Sequence, residues 1–214
     1  MGLFKYMGRE RFSELWTKVD SFERGFSFSK LFLNGTMGAG KSHMLAALTC
    51  LLFRLGRRPV YIPDCRQLCR DPLPYIQSAL LCAFADPSSA LRRNEIRSLQ
   101  SMESAKNFCR NRAGSKSLYF IVDQINALEH EPPNADDHPN ARKEELALFL
   151  KGISTGHFYI YSASANYRTA RWMAQKQTGE DKMSIMGGMS EVRNPLWTPC
   201  LSLDSIRFCF YRGR

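Results

Sequence analysis

Several features are missing from this 214-residue chain, and each absence narrows what it does. No run approaches the ~18 consecutive apolar residues a membrane-spanning helix needs, which argues against a helical span. The seven cysteines, Cys50, Cys65, Cys69, Cys82, Cys109, Cys200 and Cys209, are odd in number and form no CxxC pair. A disulfide framework or a zinc site is therefore not expected. Cys50 and Cys82 fall within apolar helical patterns and are expected to pack as small hydrophobes, a use that fits a reducing compartment. The opening "MGLFKYMGRERF" has no apolar core of a secretory signal, and Tyr6 stands where an N-myristoylation motif carries Ser or Thr. No internal repeat is visible. A dense basic block is also missing, although the net charge is +10. The basic residues come in small groups: Arg57 with Arg58, Arg92 with Arg93, Arg110 with Arg112. Two readings of that charge stand side by side: an anionic partner such as a nucleotide, nucleic acid or acidic protein surface, or a basic protein with no nucleic-acid role.

What is present suits a globular domain. The apolar fraction of 44% and charged fraction of 23% are ordinary, and the length allows one domain with a real core. Residues 9–20 read as an amphipathic helix with Phe12, Leu15, Trp16 and Val19 on one face. Strands are expected at 30–34, 59–63, 117–123 and 158–164. Helices are expected at 41–53, 72–84, 91–110, 141–151 and 165–177, with Gly56 ending the first of these. Alternation of strands with helices predicts an α/β fold whose mainly parallel sheet is covered by helices on both faces. The "LYFIV" run supports it, because parallel strands bury both faces. The expected organisation is an N-terminal helix and linker over 1–28, a nucleotide-binding domain over 29–190, and a short tail over 191–214.

The densest signal is "LFLNGTMGAGKSHML", at 31–45. Gly35, Thr36, Met37, Gly38, Ala39, Gly40, Lys41 and Ser42 spell GxxxxGK[ST] between an expected strand and an expected helix. Backbone N–H groups must wrap a phosphate there, and glycine removes the Cβ that would block the approach. The helix that follows aims its N-terminus at the anion, with His43 in its first turn. Lys41 is placed for the β/γ-phosphate oxygens, and Ser42 for Mg²⁺. Such a loop needs a second acid at the end of a neighbouring buried strand. "YFIVDQ" supplies it in Asp123, a candidate Mg²⁺ ligand. ATP and Mg²⁺ are thus the expected cofactors.

Other candidates stay open between two roles. Gln124 stands where many hydrolysing P-loop enzymes carry glutamate; it orients water by hydrogen bonds but takes no proton. Glu129, five residues on, is either a base reached by a folded-back loop or a solvated loop residue. Asn166, after the fourth strand, is either a γ-phosphate sensor or a helix cap. Asp64 in "VYIPDCR" is either a cap or a lining residue of the cleft. The tract "EHEPPNADDHPN" carries Glu, Asp and His without metal-ligand spacing and reads as a solvated loop.

The blocks "GTMGAGKSHMLAAL", "VYIPDCR", "YFIVDQINALE", "YSASAN" and "QKQTGEDKMSIMGGMSE" together resemble the P-loop NTPase domain of the crinkler family of effectors, which is similar to a domain in retrotransposon hot spot proteins. The resemblance runs over residues 12–191. It implies an ASCE-type P-loop fold, with an extra strand between the phosphate-loop strand and the Asp123 strand, and ATP binding with Mg²⁺. It also implies a secreted protein acting inside a host cell, often in the nucleus, on a host protein or nucleic acid. The chain departs from that layout in two places. The ubiquitin-like header is missing, and "VRNPLWTPCLSLDSIRFCFYRGR" has no nuclease-like set of acids and lysine, so the tail reads as a truncated or frame-altered end. An ATPase is the leading expectation. A nucleotide-gated binding module, a small-molecule kinase with a lid over 92–97, and a truncated copy that folds poorly are its rivals.

Overall fold

The computed structural model describes residues 10–24, 30–36, 38–111, 117–129, 140–164 and 182–185. Met37, Asn166, the expected helix at 165–177 and most of the acidic loop lie outside the described residues. The element order is α1 (Glu10–Ser21), β1 (Lys30–Gly35), α2 (Lys41–Arg54), β2 (Arg58–Ile62), α3 (Cys65–Arg70), α4 (Pro72–Ala83), α5 (Ala90–Arg97), α6 (Met102–Arg110), β3 (Leu118–Val122), α7 (Asn140–Ile153), β4 (Phe158–Ser164) and β5 (Lys182–Ile185).

The five strands form one sheet in the order β2-β3-β4-β1-β5. Every pairing is parallel. β4 lies between the phosphate-loop strand and the Asp123 strand, with Leu31 in register with Ile160 on one side and Ile121 with Ile160 on the other. This is the ASCE-type arrangement expected above.

Period-two alternation sorts the side chains into two cores. Leu31 and Leu33 of β1, Tyr119 and Ile121 of β3 and Ile160 of β4 face Met44, Leu45, Leu48 and Leu52 of α2 and Leu15 and Val19 of α1. Phe32, Val60, Ile62, Phe120, Val122 and Tyr161 face α3 to α7 on the other side. All five residues of β3 are buried, as a strand covered on both faces requires. Each fully buried leucine of α2 contributes about 1.5–3 kcal/mol of transfer free energy, as an upper estimate.

The structure corrects two expectations. The helix expected over 91–110 is two: α5 ends at Arg97 and α6 starts at Met102. Ser101 and Ser104 form a reciprocal capping box at the new start, and the Gln77 side-chain amide donates to Ile96 O (3.1 Å) and Leu99 O (2.9 Å) at the break. Cys82 is exposed, because α4 buries Ile76, Ala79, Leu80 and Ala83 and position 82 falls to the side of that face. Among the described residues, no helix is long and apolar enough to cross a membrane.

Candidate phosphate and metal site

The carboxyl ends of β1 and β3 carry the site. β1 ends at Gly35, and the chain turns through Gly38 (φ +79°) and Gly40 (φ 84°) into α2. Both angles lie in the left-handed region, where an L-residue with a Cβ is strained. Gly40 is the N-cap of α2 and has no side chain to satisfy the first-turn amides. That turn holds no acidic residue of its own. Ala39 is buried and its N–H donates to Thr36 O (3.3 Å), while Ser42 and His43 are exposed. An α2 N-terminus without a side-chain cap among the described residues, with a positive dipole end and exposed hydroxyl and imidazole groups, has the chemistry of an anion cradle.

Lys41 is buried, and its Nζ donates to Gly35 O and Thr36 O, both at 2.8 Å. Burial pulls its pKa below the ordinary lysine value, and the negative charge of Asp123 partly opposes that pull. The two groups therefore share an electrostatic environment, although Lys41 opens the helix that follows β1 and Asp123 follows β3, two strands separated by β4.

Asp123 follows β3 directly and is 2% exposed. Its N–H donates to Ile62 O of β2 (2.8 Å), which locks the residue to the sheet. Its carbonyl accepts from the Cys65 thiol (3.3 Å), which burial keeps protonated. The carboxylate is asymmetric. Oδ1 accepts from the Gln124 N–H (2.8 Å) and from the Ser162 hydroxyl. Oδ2 is buried and has no hydrogen-bond partner among the described residues. An orphaned carboxylate oxygen is costly in a protein interior unless a cation or donor meets it. A hard divalent cation such as Mg²⁺, which takes one or two carboxylates and keeps several other oxygen ligands, fits Asp123 and the exposed Ser42 hydroxyl. Asn34 Oδ1, one residue before the phosphate loop, is likewise buried without a partner among the described residues.

The neighbouring candidates sort as follows. Gln124 is exposed, and its φ of 56° makes it the non-glycine residue with positive φ among the described residues. A short 3-10 turn, Ile125–Leu128, then carries the chain to Glu129, which is half-buried. The Glu129 N–H donates to Asn126 O (3.1 Å), and its carbonyl accepts from Lys143 of α7 (3.3 Å). Asp64 caps α3 by accepting from the Arg66 N–H (2.8 Å). Its own N–H donates to the Tyr75 hydroxyl (3.2 Å), whose pKa burial pushes up to about 12. Arg93 is engaged with Phe84 O and Asp86 O, and Arg92 with Glu95. Sequence reasoning missed Ser162 and Asn34. Ser162 was findable as a hydroxyl inside the otherwise apolar "FYIYSA" run; Asn34 lay hidden as one polar residue ahead of a loop full of them.

No family model matches the sequence, and no curated protein matches it. Among solved structures, the chain is similar to AMPPCP-bound DnaA from Aquifex aeolicus, with 12% identity and a TM-score of 0.45 over 85% of this chain and 48% of that one. The chain thus spans about half the length of that protein.

Proposed function

We propose that this chain binds a nucleoside triphosphate, with ATP the expected species, and hydrolyses it with Mg²⁺. The observation that carries the reading is the pairing of a glycine-turned helix N-terminus and buried Lys41 with an Asp123 carboxylate that keeps one oxygen unpartnered among the described residues. In this reading the amides of the 35–42 loop hold the phosphates, and Lys41 neutralises β/γ charge. Ser42 and Asp123 hold the cation, which when bound draws electron density from the terminal phosphate. Gln124 orients water, with Glu129 the nearby candidate base. Asn166, by its sequence position, is the candidate γ-phosphate sensor. The crinkler resemblance supports a role inside a host cell, with a host protein or nucleic acid as target, and the charge of +10 is consistent with an anionic one.

The test is ATP binding and turnover by the purified chain beside Lys41→Ala and Asp123→Asn. Lys41→Ala is expected to weaken ATP binding on the order of 100-fold, through loss of charge-assisted bonds. Asp123→Asn is expected to retain binding in EDTA and to lose its Mg²⁺ dependence. Unchanged ATP affinity in Lys41→Ala would sink the proposal.

One observation favours a second reading, a nucleotide-gated binding module with little turnover. The residue after Asp123 is an exposed glutamine held in a left-handed conformation, which leaves no carboxylate at that position to accept a proton. Micromolar binding with background turnover would select it.

A further inference from the structure

β4 is the spacer between the two halves of the site, and within Phe158–Ser164 it carries serines at 162 and at its last position, 164. Ser162 is 0% exposed and its backbone pairs in register with Leu33 of β1. Val122 pairs with Tyr161, so Asp123 and Ser162 come level one step further along. Both continue the alternation of Ile121 and Ile160, which face α2. A hydroxyl at full burial must find an acceptor, and this one finds Asp123 Oδ1.

We propose that Ser162 is a positioning residue for a divalent cation: by holding Oδ1, together with the Gln124 N–H, it fixes the Asp123 carboxylate with Oδ2 as its free ligand oxygen. The chemistry is that of groups behind a metal ligand, which fix its rotamer and tune its basicity without touching the metal. The alternation of the sheet explains why the spacer strand supplies this group. β4 is the strand adjacent to both β1 and β3, so a side chain on its α2 face reaches the Asp123 carboxylate from the phosphate-loop side. Alanine at 162 would remove the hydroxyl and leave Oδ1 held by the Gln124 N–H alone, loosening the carboxylate's orientation.

The proposal rests on the Mg²⁺ reading of Asp123 given above. Its test is a titration of Mg²⁺ against ATP binding for the wild type, Ser162→Ala and Ser162→Cys, with ATP affinity in EDTA and the thermal midpoint measured alongside. Ser162→Ala is expected to raise the half-saturating Mg²⁺ concentration about 10-fold while leaving the EDTA affinity within about twofold. Ser162→Cys, near in shape but a weak donor, is expected to fall between the two. Wild-type Mg²⁺ dependence that Ser162→Ala leaves unmoved would overturn the positioning role alone. An equal loss of affinity with and without Mg²⁺ would also overturn it, by making the residue merely structural. Where the alanine variant does not fold, a cysteine variant with the wild-type Mg²⁺ midpoint overturns it. ATP binding by the wild type that ignores Mg²⁺ would overturn the metal reading of Asp123, and this proposal with it.

Discussion

The two ends of β3 differ in one instructive way. At its N-terminal end sits His157, 2% exposed, with both ring nitrogens engaged. Nδ1 accepts from the Leu118 N–H (3.1 Å), which makes Nε2 the protonated nitrogen that donates to Cys109 O (2.9 Å). At its C-terminal end sits Asp123, equally buried, with one oxygen doubly engaged and the other bare. The first end spends its polar atoms on the fold: a single imidazole ties α6 to β3. The second end holds polar atoms in reserve, beside a lysine whose burial works against its charge. The contrast teaches how to separate stability from function in this chain. A buried polar group with every partner present is structural, and one kept incomplete at the carboxyl edge of a parallel sheet is poised for a ligand.

Breaking the satisfied end gives the largest expected effect. His157→Ala takes the ring acceptor from the buried Leu118 N–H, removes one donor from the Cys109 carbonyl and opens a cavity, so urea unfolding should show a loss of about 3 kcal/mol. The ATP affinity of the folded fraction should stay unchanged. The incomplete end is probed by Gln124→Glu, which places a proton acceptor beside Asp123. Turnover should rise on the order of 100-fold with little change in ATP affinity, read by phosphate release. The smallest effect sharpens the comparison through pH. Burial lowers the His157 pKa in the folded state, while the Cys109 carbonyl opposes that shift. A depressed folded pKa means that the unfolded chain binds the proton first. Stability is therefore full above about pH 6.5, and is lost as pH falls toward the folded value, at no more than about 1.4 kcal/mol per pH unit for this group. That slope should be missing in His157→Gln.

Much of this was legible beforehand, for a physical reason. The phosphate loop announces itself because backbone geometry demands glycine at fixed offsets, and Gly38 and Gly40 do adopt positive φ. The buried strands announce themselves because parallel packing needs continuous apolar runs, as in β3. What stayed hidden depended on partners distant in the chain. The break between α5 and α6 is fastened by Gln77, from another helix. α3 has six residues, too few to show a helical period, and is set by the Asp64 cap. β5 has four residues and is defined by its pairing with β1. The asymmetry of Asp123 needed Ser162, from a strand that precedes neither the loop nor the acid in sequence. Spacing along the chain does not reveal which strand lies between two others.

The central place of β4 also governs the order in which the molecule can be built. β1 emerges early, yet its partner on one side, Phe158–Ser164, comes far later in the chain, and its partner on the other, Lys182–Ile185, later still. Pairings of such long sequence separation cost loop entropy before they return any contact, and they are slow to form. During synthesis the phosphate-loop strand must therefore wait with both edges open, while β2 and β3 can pair beside it. An unpaired apolar edge is the usual template for association with another chain. The same topology that brings Lys41 and Asp123 together across a spacer makes the nascent protein's most exposed moment the interval before residue 164 appears.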